Sequence, residues 1–327
     1  KLNWKSILTF RENISLVAKW YKYFNFKPKT TFQITSEQIL EYQKCAGDPI
    51  YFMRNYIRIV SLDDGLVPFK MYPFQEHIVR TIHDNRFTIC KLPRQSGKST
   101  TTVSYLLHYA LFNPNSNIAI LANKSSTARD ILSRVQLAYE NLPKWMQQGV
   151  INWNKGNIEL ENGSKIFASS TSATAVRGMS INMVYLDEFA FVPHTVQEEF
   201  FASVYPTISS GKSSRVLITS TPNGMNLFHK LLINGERLPG DPLKNRYNAR
   251  RVYWYEVDGR FVTYIRLDPY KLKQHGLEKE LILSKVEQEF GSKTKVELKW
   301  DNDIERFVIH VFNNDDVSDT EVKTFSF

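Results

Sequence analysis

The sequence predicts an α/β fold: a parallel β-sheet flanked by helices, with a helical region before it and a small appendage after it. Three observations predict it. Between residues 86 and 260, short apolar runs of strand length alternate with longer stretches of helical spacing. Most of these strand runs are nearly continuous in apolar residues, as strands covered on both faces must be. Finally, "KLPRQSGKST" (91–100) sets a Gly-Lys-Ser triplet between such a strand and such a helix. Backbone N–H groups and a helix N-terminus can meet an anion there.

The elements follow in order. Residues 1–31 are basic and aromatic, suited to an arm that touches a partner or to a helix packing its aromatics inward. "TSEQILEYQKC" (35–45) opens with a capping box and continues as a helix. "DPIYFMRNYIRIV" (48–60) reads as a second helix ending before Asp63-Asp64-Gly65, and "YPFQEHIVRTIHDN" (72–85) as a third with Ile78, Val79 and Ile82 on one face. Strands are expected at 86–92, 116–123, 181–189, 214–222 and 250–260, and helices at 97–112 and 126–143. A hairpin at 157–170 turns on Asn162-Gly163. Beyond 260 the pattern changes to a helix-like stretch (276–290) and a two-strand pattern around Asp301-Asn302-Asp303. This gives three segments: a helical region 1–85, a core 86–260 and an appendage 261–327.

With 327 residues, 42% hydrophobic and 23% charged, the chain is of globular composition and long enough for one large or two ordinary domains. Its apolar runs are too short and too often charged to cross a membrane, and its opening residues lack a secretory pattern. Two cysteines, Cys45 and Cys90, cannot build a disulfide framework or a four-ligand metal site, so a reducing cytoplasm is the default. A formal net charge of +9 suits a polyanionic partner.

The Gly-Lys-Ser triplet ends a phosphate-binding loop of altered form. The position that usually holds the first glycine is Leu92, and Pro93, Arg94, Gln95 and Ser96 lead into Gly97. Pro93 pre-sets φ and stiffens the turn. Lys98 would reach the β- and γ-phosphates of a nucleotide, and Ser99, or Thr100 beside it, would hold Mg²⁺. Arg94, four residues before the lysine, would point at the γ-phosphate as an arginine finger supplied in cis. "MVYLDEF" (183–189) ends an apolar strand on two acids: Asp187 to hold the metal through water, and Glu188 to orient or deprotonate the attacking water. Strand alternation would let only Asp187 face the metal. Gln75 is placed to read an adenine edge with its amide. The hydroxyls of Thr219, Ser220 and Thr221, after the next apolar strand, would sit beside the two acids. Arg177, in a glycine-containing loop, would reach a neighbouring subunit's nucleotide or DNA.

Together "CAGDPIYFMRNYIRIV", "GLVPFKMYPFQ", "RFTICKLPRQSGKST", "INWNKGNIELENGSKIFASS", "AVRGMSINMVYLDEFAFVP" and "ITSTPNGMNLF" resemble the ATPase motor of the large terminase of tailed phages, in particular its T4-like branch. The resemblance runs over roughly 38–260. It implies a P-loop NTPase core of the ASCE type, with an extra strand carrying the catalytic glutamate. It also implies ATP and Mg²⁺ as cofactors and translocation of double-stranded DNA into a procapsid. By motif it makes Gln75 the adenine reader, Arg94, Lys98 and Ser99 the loop residues, Asp187 and Glu188 the metal-binding and catalytic acids, and Thr219, Ser220 and Thr221 the coupling motif. The partners implied are DNA, a portal protein, a small terminase subunit and further copies in a ring, in the host cell cytoplasm and away from membranes. The family's nuclease carries widely separated acids; Asp301, Asp303 and Glu305 are too local to supply them, so DNA cutting is not expected of this chain. The alternatives are a fragment of a superfamily 2-like translocase or helicase, and an ATP-gated DNA-binding or scaffold protein that does not hydrolyse.

Overall fold

The computed structural model describes residues 35–61, 64–172, 179–203 and 211–253, the positions 176, 205, 208, 256 and 257, and strands at 265–267, 294–301 and 306–313. The arm at 1–31, the helix expected at 276–290 and Arg177 lie outside the described residues. The chain divides into two compact units, Lys1–Val252 and Tyr253–Phe327.

The first unit begins with α1 (Ser36–Gly47), capped as expected: the Thr35 hydroxyl accepts from Gln38 N, and the Gln38 side chain accepts from Thr35 N. α2 (Pro49–Tyr56) starts on Asp48 with proline in its first turn. It ends at Tyr56, four residues short of the helix the sequence suggested. Arg58–Ser61 is instead strand β1, paired antiparallel with β2 (Gly65–Pro68). The β-branched pair Ile59-Val60 and a left-handed Gly65 favour the hairpin over another helical turn. α3 (Pro73–Asp84) buries Phe74, Ile78, Val79 and Ile82, the face its spacing indicated.

The sheet has eight strands in the order β10–β3–β9–β8–β4–β7–β6–β5. Their ranges are β3 (Phe87–Lys91), β4 (Asn117–Ala122), β5 (Val150–Trp153), β6 (Asn157–Leu160), β7 (Lys165–Ser170), β8 (Met183–Asp187), β9 (Arg215–Ser220) and β10 (Asn248–Arg251). The six strands from β10 to β7 are mutually parallel. β6 and β5 run antiparallel at the edge, because the expected hairpin folds back and an uncalled strand, β5, extends it. β10 lies at 248–251, earlier and shorter than the 250–260 expected, because its register is set by pairing with β3 at the opposite edge.

Alternation sorts the strands' residues to two faces. Phe87, Ile89, Ala119, Leu121, Val184, Leu186, Val216 and Ile218 form one core with Phe189, Phe200 of α6 (His194–Ser203) and Phe228 and Leu232 of α7 (Leu227–Glu236). Thr88, Ile118, Tyr185 and Leu217 face the other way. That side is covered by α4 (Lys98–Phe112) and α5 (Ser125–Glu140). Between Thr101 and Phe112, α4 is buried at every position but Tyr109, since α1–α3 pack on its outer side.

At that inner joint His108 sits among Phe52, Phe112, Tyr105 and His83. Its Nε2 lies 2.8 Å from the Cys45 carbonyl and so carries the proton; Nδ1 is buried and, among the described residues, finds no partner. Burial, with His83 nearby, lowers its pKa to about 4 despite the bond to Cys45 and the more distant Asp48. The folded pKa lies below the unfolded one, so the unfolded chain takes the proton first. Stability is therefore complete above about pH 6.5 and falls as pH drops towards 4, by about 3 kcal/mol over the window. Urea midpoints at pH 7.5 and 5 should show this drop, and His108→Gln, which keeps a donor for Cys45, should flatten it. An unchanged slope in the variant would assign the acid sensitivity elsewhere.

In the second unit, β12 (Thr294–Asp301) and β13 (Arg306–Asn313) form the antiparallel pair expected around Asp301, and β11 (Ile265–Leu267) joins β13. Among the described residues no helix is long and apolar enough to cross a membrane.

Candidate active site

β3, β9, β8 and β4 all end at the same edge of the parallel sheet, and their last residues carry the chemistry. The loop after β3 turns through two left-handed residues, Gln95 (φ 56°) and Gly97 (φ 72°), before α4 begins at Lys98. Gly97 has a second reason to be glycine: a Cβ there would run into the Gln75 amide nitrogen. Gln75 is 2% exposed, with its Oε1 accepting from Tyr72 N at 2.9 Å and its Nε2 donating to the Ser96 carbonyl at 3.3 Å. The amide expected to read a base is thus turned under the loop, away from the open cavity. It caps α3 and braces the loop backbone.

Lys98 reaches across the edge and ion-pairs with both acids. Its Nζ lies 3.3 Å from Asp187 Oδ1 and forms a short ion pair with Glu188 Oε1. Asp187 is the last residue of β8, and Glu188 is left-handed (φ 47°, ψ 45°). That turn, costing about 1–3 kcal/mol, breaks strand alternation, so both carboxylates converge where only one was expected to face the metal. It is held by the short 3₁₀ turn Phe189–Phe191, whose Phe191 N donates to Glu188 O at 2.9 Å.

The 219–221 segment does lie beside the acids. β9 stands between β3 and β8 and pairs Asp187 with Thr219 and Lys91 with Ser220. It is the extra strand of the ASCE arrangement, and it carries this segment; the glutamate follows the aspartate on β8 instead. Glu188 Oε2 accepts from Thr221 N (3.0 Å), Thr221 Oγ1 (3.2 Å) and Ser220 Oγ (3.1 Å). Asp187 Oδ1 accepts from Thr219 Oγ1 at 3.2 Å and Tyr185 OH at 2.6 Å. Burial works to raise the Glu188 pKa, but the Lys98 hydrogen bond and charge, with the Thr221 N–H and Ser220, outweigh it and hold the carboxyl below its ordinary value.

A cavity of about 660 Å³ opens over this edge. Pro93, Arg94, Gln95, Ser96, Gly97, Lys98, Ser99 and Thr100 line one side, and Glu188 and Thr221 lie across from them. Asn123, Lys124 and Thr127, from the end of β4 and the start of α5, complete it with Arg134 further along α5 and with Phe191. Sequence reading had not singled these out. The strand-then-helix position of 123–127, parallel to that of the loop, was the available signal. Arg134 also pairs with Asp130 one turn earlier.

A strand–loop–helix with a lysine at the helix start, a 5-1-4-3-2-type parallel order and two acids on the strand beyond β9 define a P-loop NTPase fold. The sequence profile of the family described as terminase large subunit, T4likevirus-type, N-terminal, matches residues 89–249. The terminase large subunits of Thermus phage G20c and Thermus virus P23-45 are each 28% identical over 180 residues, which cover 49% of this chain and 36% of theirs. The large terminase of bacteriophage HK97 shares the fold, with a TM-score of 0.54 at 15% identity, covering 77% of this chain and 56% of that one. Over residues 89–249 the chain is similar to the terminase large-subunit family. It spans little more than a third of the length of the Thermus relatives.

Proposed function

We propose that the chain is the ATP-hydrolysing part of a motor that drives double-stranded DNA into a procapsid. The observation that carries this reading is the network of ion pairs and hydrogen bonds that joins Lys98, Asp187, Glu188 and the 219–221 hydroxyls at the carboxyl edge of the sheet, with Lys98, Glu188 and Thr221 lining the cavity. The similarity to that family suggests DNA as the polyanion that a charge of +9 suits.

The loop backbone and Lys98 would hold the phosphates. The donor set fits Mg²⁺: Ser99 lies in the cavity wall, and among the described residues no hydrogen bond reaches Asp187 Oδ2. One carboxylate, one hydroxyl and the phosphates themselves are what Mg²⁺ usually takes. When bound, the ion would neutralise charge on the phosphate oxygens. Polyphosphate competes with Glu188 for the Lys98 ammonium. Freed at Oε1, Glu188 can orient water, while Oε2 stays tied to Thr221 and passes any movement to the segment after β9. Arg94, exposed in the cavity wall, would meet the transferred phosphoryl group. The family further suggests a portal protein, a small subunit and a ring of copies in the host cytoplasm, with Arg177 as the residue reaching a neighbour.

The test is phosphate release by the purified chain with and without linear double-stranded DNA, beside Lys98→Ala. Turnover in the parent and its loss in the variant are expected, with DNA retention falling steeply as salt rises. A parent that does not bind ATP would overturn the reading.

A further inference from the structure

We infer that Tyr185 is a positioning residue for Asp187: its phenol pins one carboxylate oxygen and leaves the other directed at the metal. The inference rests on the functional reading above and goes beyond it, since nothing in the motif requires a tyrosine here. A fully apolar residue would continue the core run Met183-Val184 into Leu186. Tyr185 is instead completely buried with a hydroxyl that must find a partner.

Its position dictates the partner. Residues two apart on a strand share a face, so the Tyr185 ring lies beside Asp187 on the side covered by α4. Its hydroxyl donates to Asp187 Oδ1 at 2.6 Å and lies 3.0 Å from Thr219 Oγ1. The proton count fixes the direction. An ionised carboxylate only accepts, and the phenol and the threonine own one proton each. The shortest contact takes the phenol's proton, and the Thr219 proton is shared between the phenol oxygen and Asp187 Oδ1. A phenol is protonated at neutral pH, so it stays a donor.

The consequence is asymmetry. Oδ1 receives Tyr185, Thr219 and Lys98 Nζ, whereas among the described residues no hydrogen bond is made to Oδ2. A carboxylate fixed by one oxygen presents the other with no rotamer to lose. The same phenol touches β9, so the metal-holding acid and the segment after β9 share one buried node.

The experiment titrates MgCl2 into the purified protein with a fluorescent ADP analogue, alongside the same binding in EDTA. In the parent, Mg²⁺ should tighten nucleotide binding. Tyr185→Phe keeps the ring and its packing. Its affinity in EDTA should stay within about twofold of the parent, while its apparent Mg²⁺ constant weakens about 10- to 100-fold, as when a ligand's hydrogen-bond partner is removed. An unchanged Mg²⁺ constant, or an equal loss in EDTA and in Mg²⁺, would reduce Tyr185 to packing and overturn the inference. If binding in the parent ignores Mg²⁺, the metal role of Asp187 fails first and the inference falls with it. Should Tyr185→Phe not fold, Thr219→Val leaves the phenol in place and should weaken Mg²⁺ by less than about tenfold. A larger loss would make Thr219 the anchor instead.

Discussion

Glu188→Gln should bind ATP at least as tightly as the parent and lose its steady-state turnover by about 10²- to 10⁴-fold. The two halves of this result have separate causes. Glutamine keeps the shape of the side chain and an oxygen to accept from Thr221 N and Ser220, so the left-handed turn and the 3₁₀ segment should survive. What it loses is the second acceptor, now paired with Lys98. In the free parent, phosphate must win Lys98 from that carboxylate; in the variant it need not, and only Asp187 still holds the ammonium. Binding therefore should not weaken. Turnover fails because an amide cannot take a proton from water or orient it with two lone-pair-bearing oxygens. Equilibrium binding of labelled ATP and phosphate release on the same preparation decide it. A variant that still turns over would remove Glu188 from the chemistry. A parent that binds ATP and never hydrolyses it would favour the gated-binding alternative or require a neighbour's residue.

The site was legible in the sequence where its geometry is local. The loop from Pro93 to Thr100, the acids at 187–188 and the hydroxyls at 219–221 each lie at or just past the end of a strand of the parallel part of the sheet. Parallel strands that end at one edge bring their following residues together whatever lies between them. Their contacts were not legible. That Gln75 lies under the loop depends on α3 packing beneath Gly97, which no spacing within 72–85 states. The convergence of both acids on Lys98 depends on one left-handed residue, Glu188, whose conformation is settled by bonds from Ser220, Thr221 and Phe191. Edge strands were the weakest part of the fold reading: β5 and β10 are short and defined by their pairing partners more than by their own residues. α7 did leave a local trace, since Asn226 accepts from His229 N as an N-cap.

Arg94→Ala tests the altered loop itself and should lower turnover by about 10³-fold or more while leaving ATP affinity within a few-fold. The argument is positional. Arg94 lies exposed on the cavity wall four residues before Lys98, whereas Ser96 and Gln75 behind it are buried and hydrogen-bonded into the loop. Bracing is thus carried by Gln75 and by Ser96 Oγ, which donates to the Pro93 carbonyl at 2.9 Å. Arg94 lines the cavity that a nucleotide would enter. The conservative variant separates charge from shape: Arg94→Lys keeps the charge but not the planar fork that grips two phosphoryl oxygens, and should restore little of the rate. Should Arg94→Ala instead turn over within about threefold of the parent, or lose ATP affinity and thermal stability together, the arginine belongs to the loop's structure. The charge on the transferred group would then have to be met by Lys98 and by a residue from a neighbouring copy, which makes the site incomplete in the single chain.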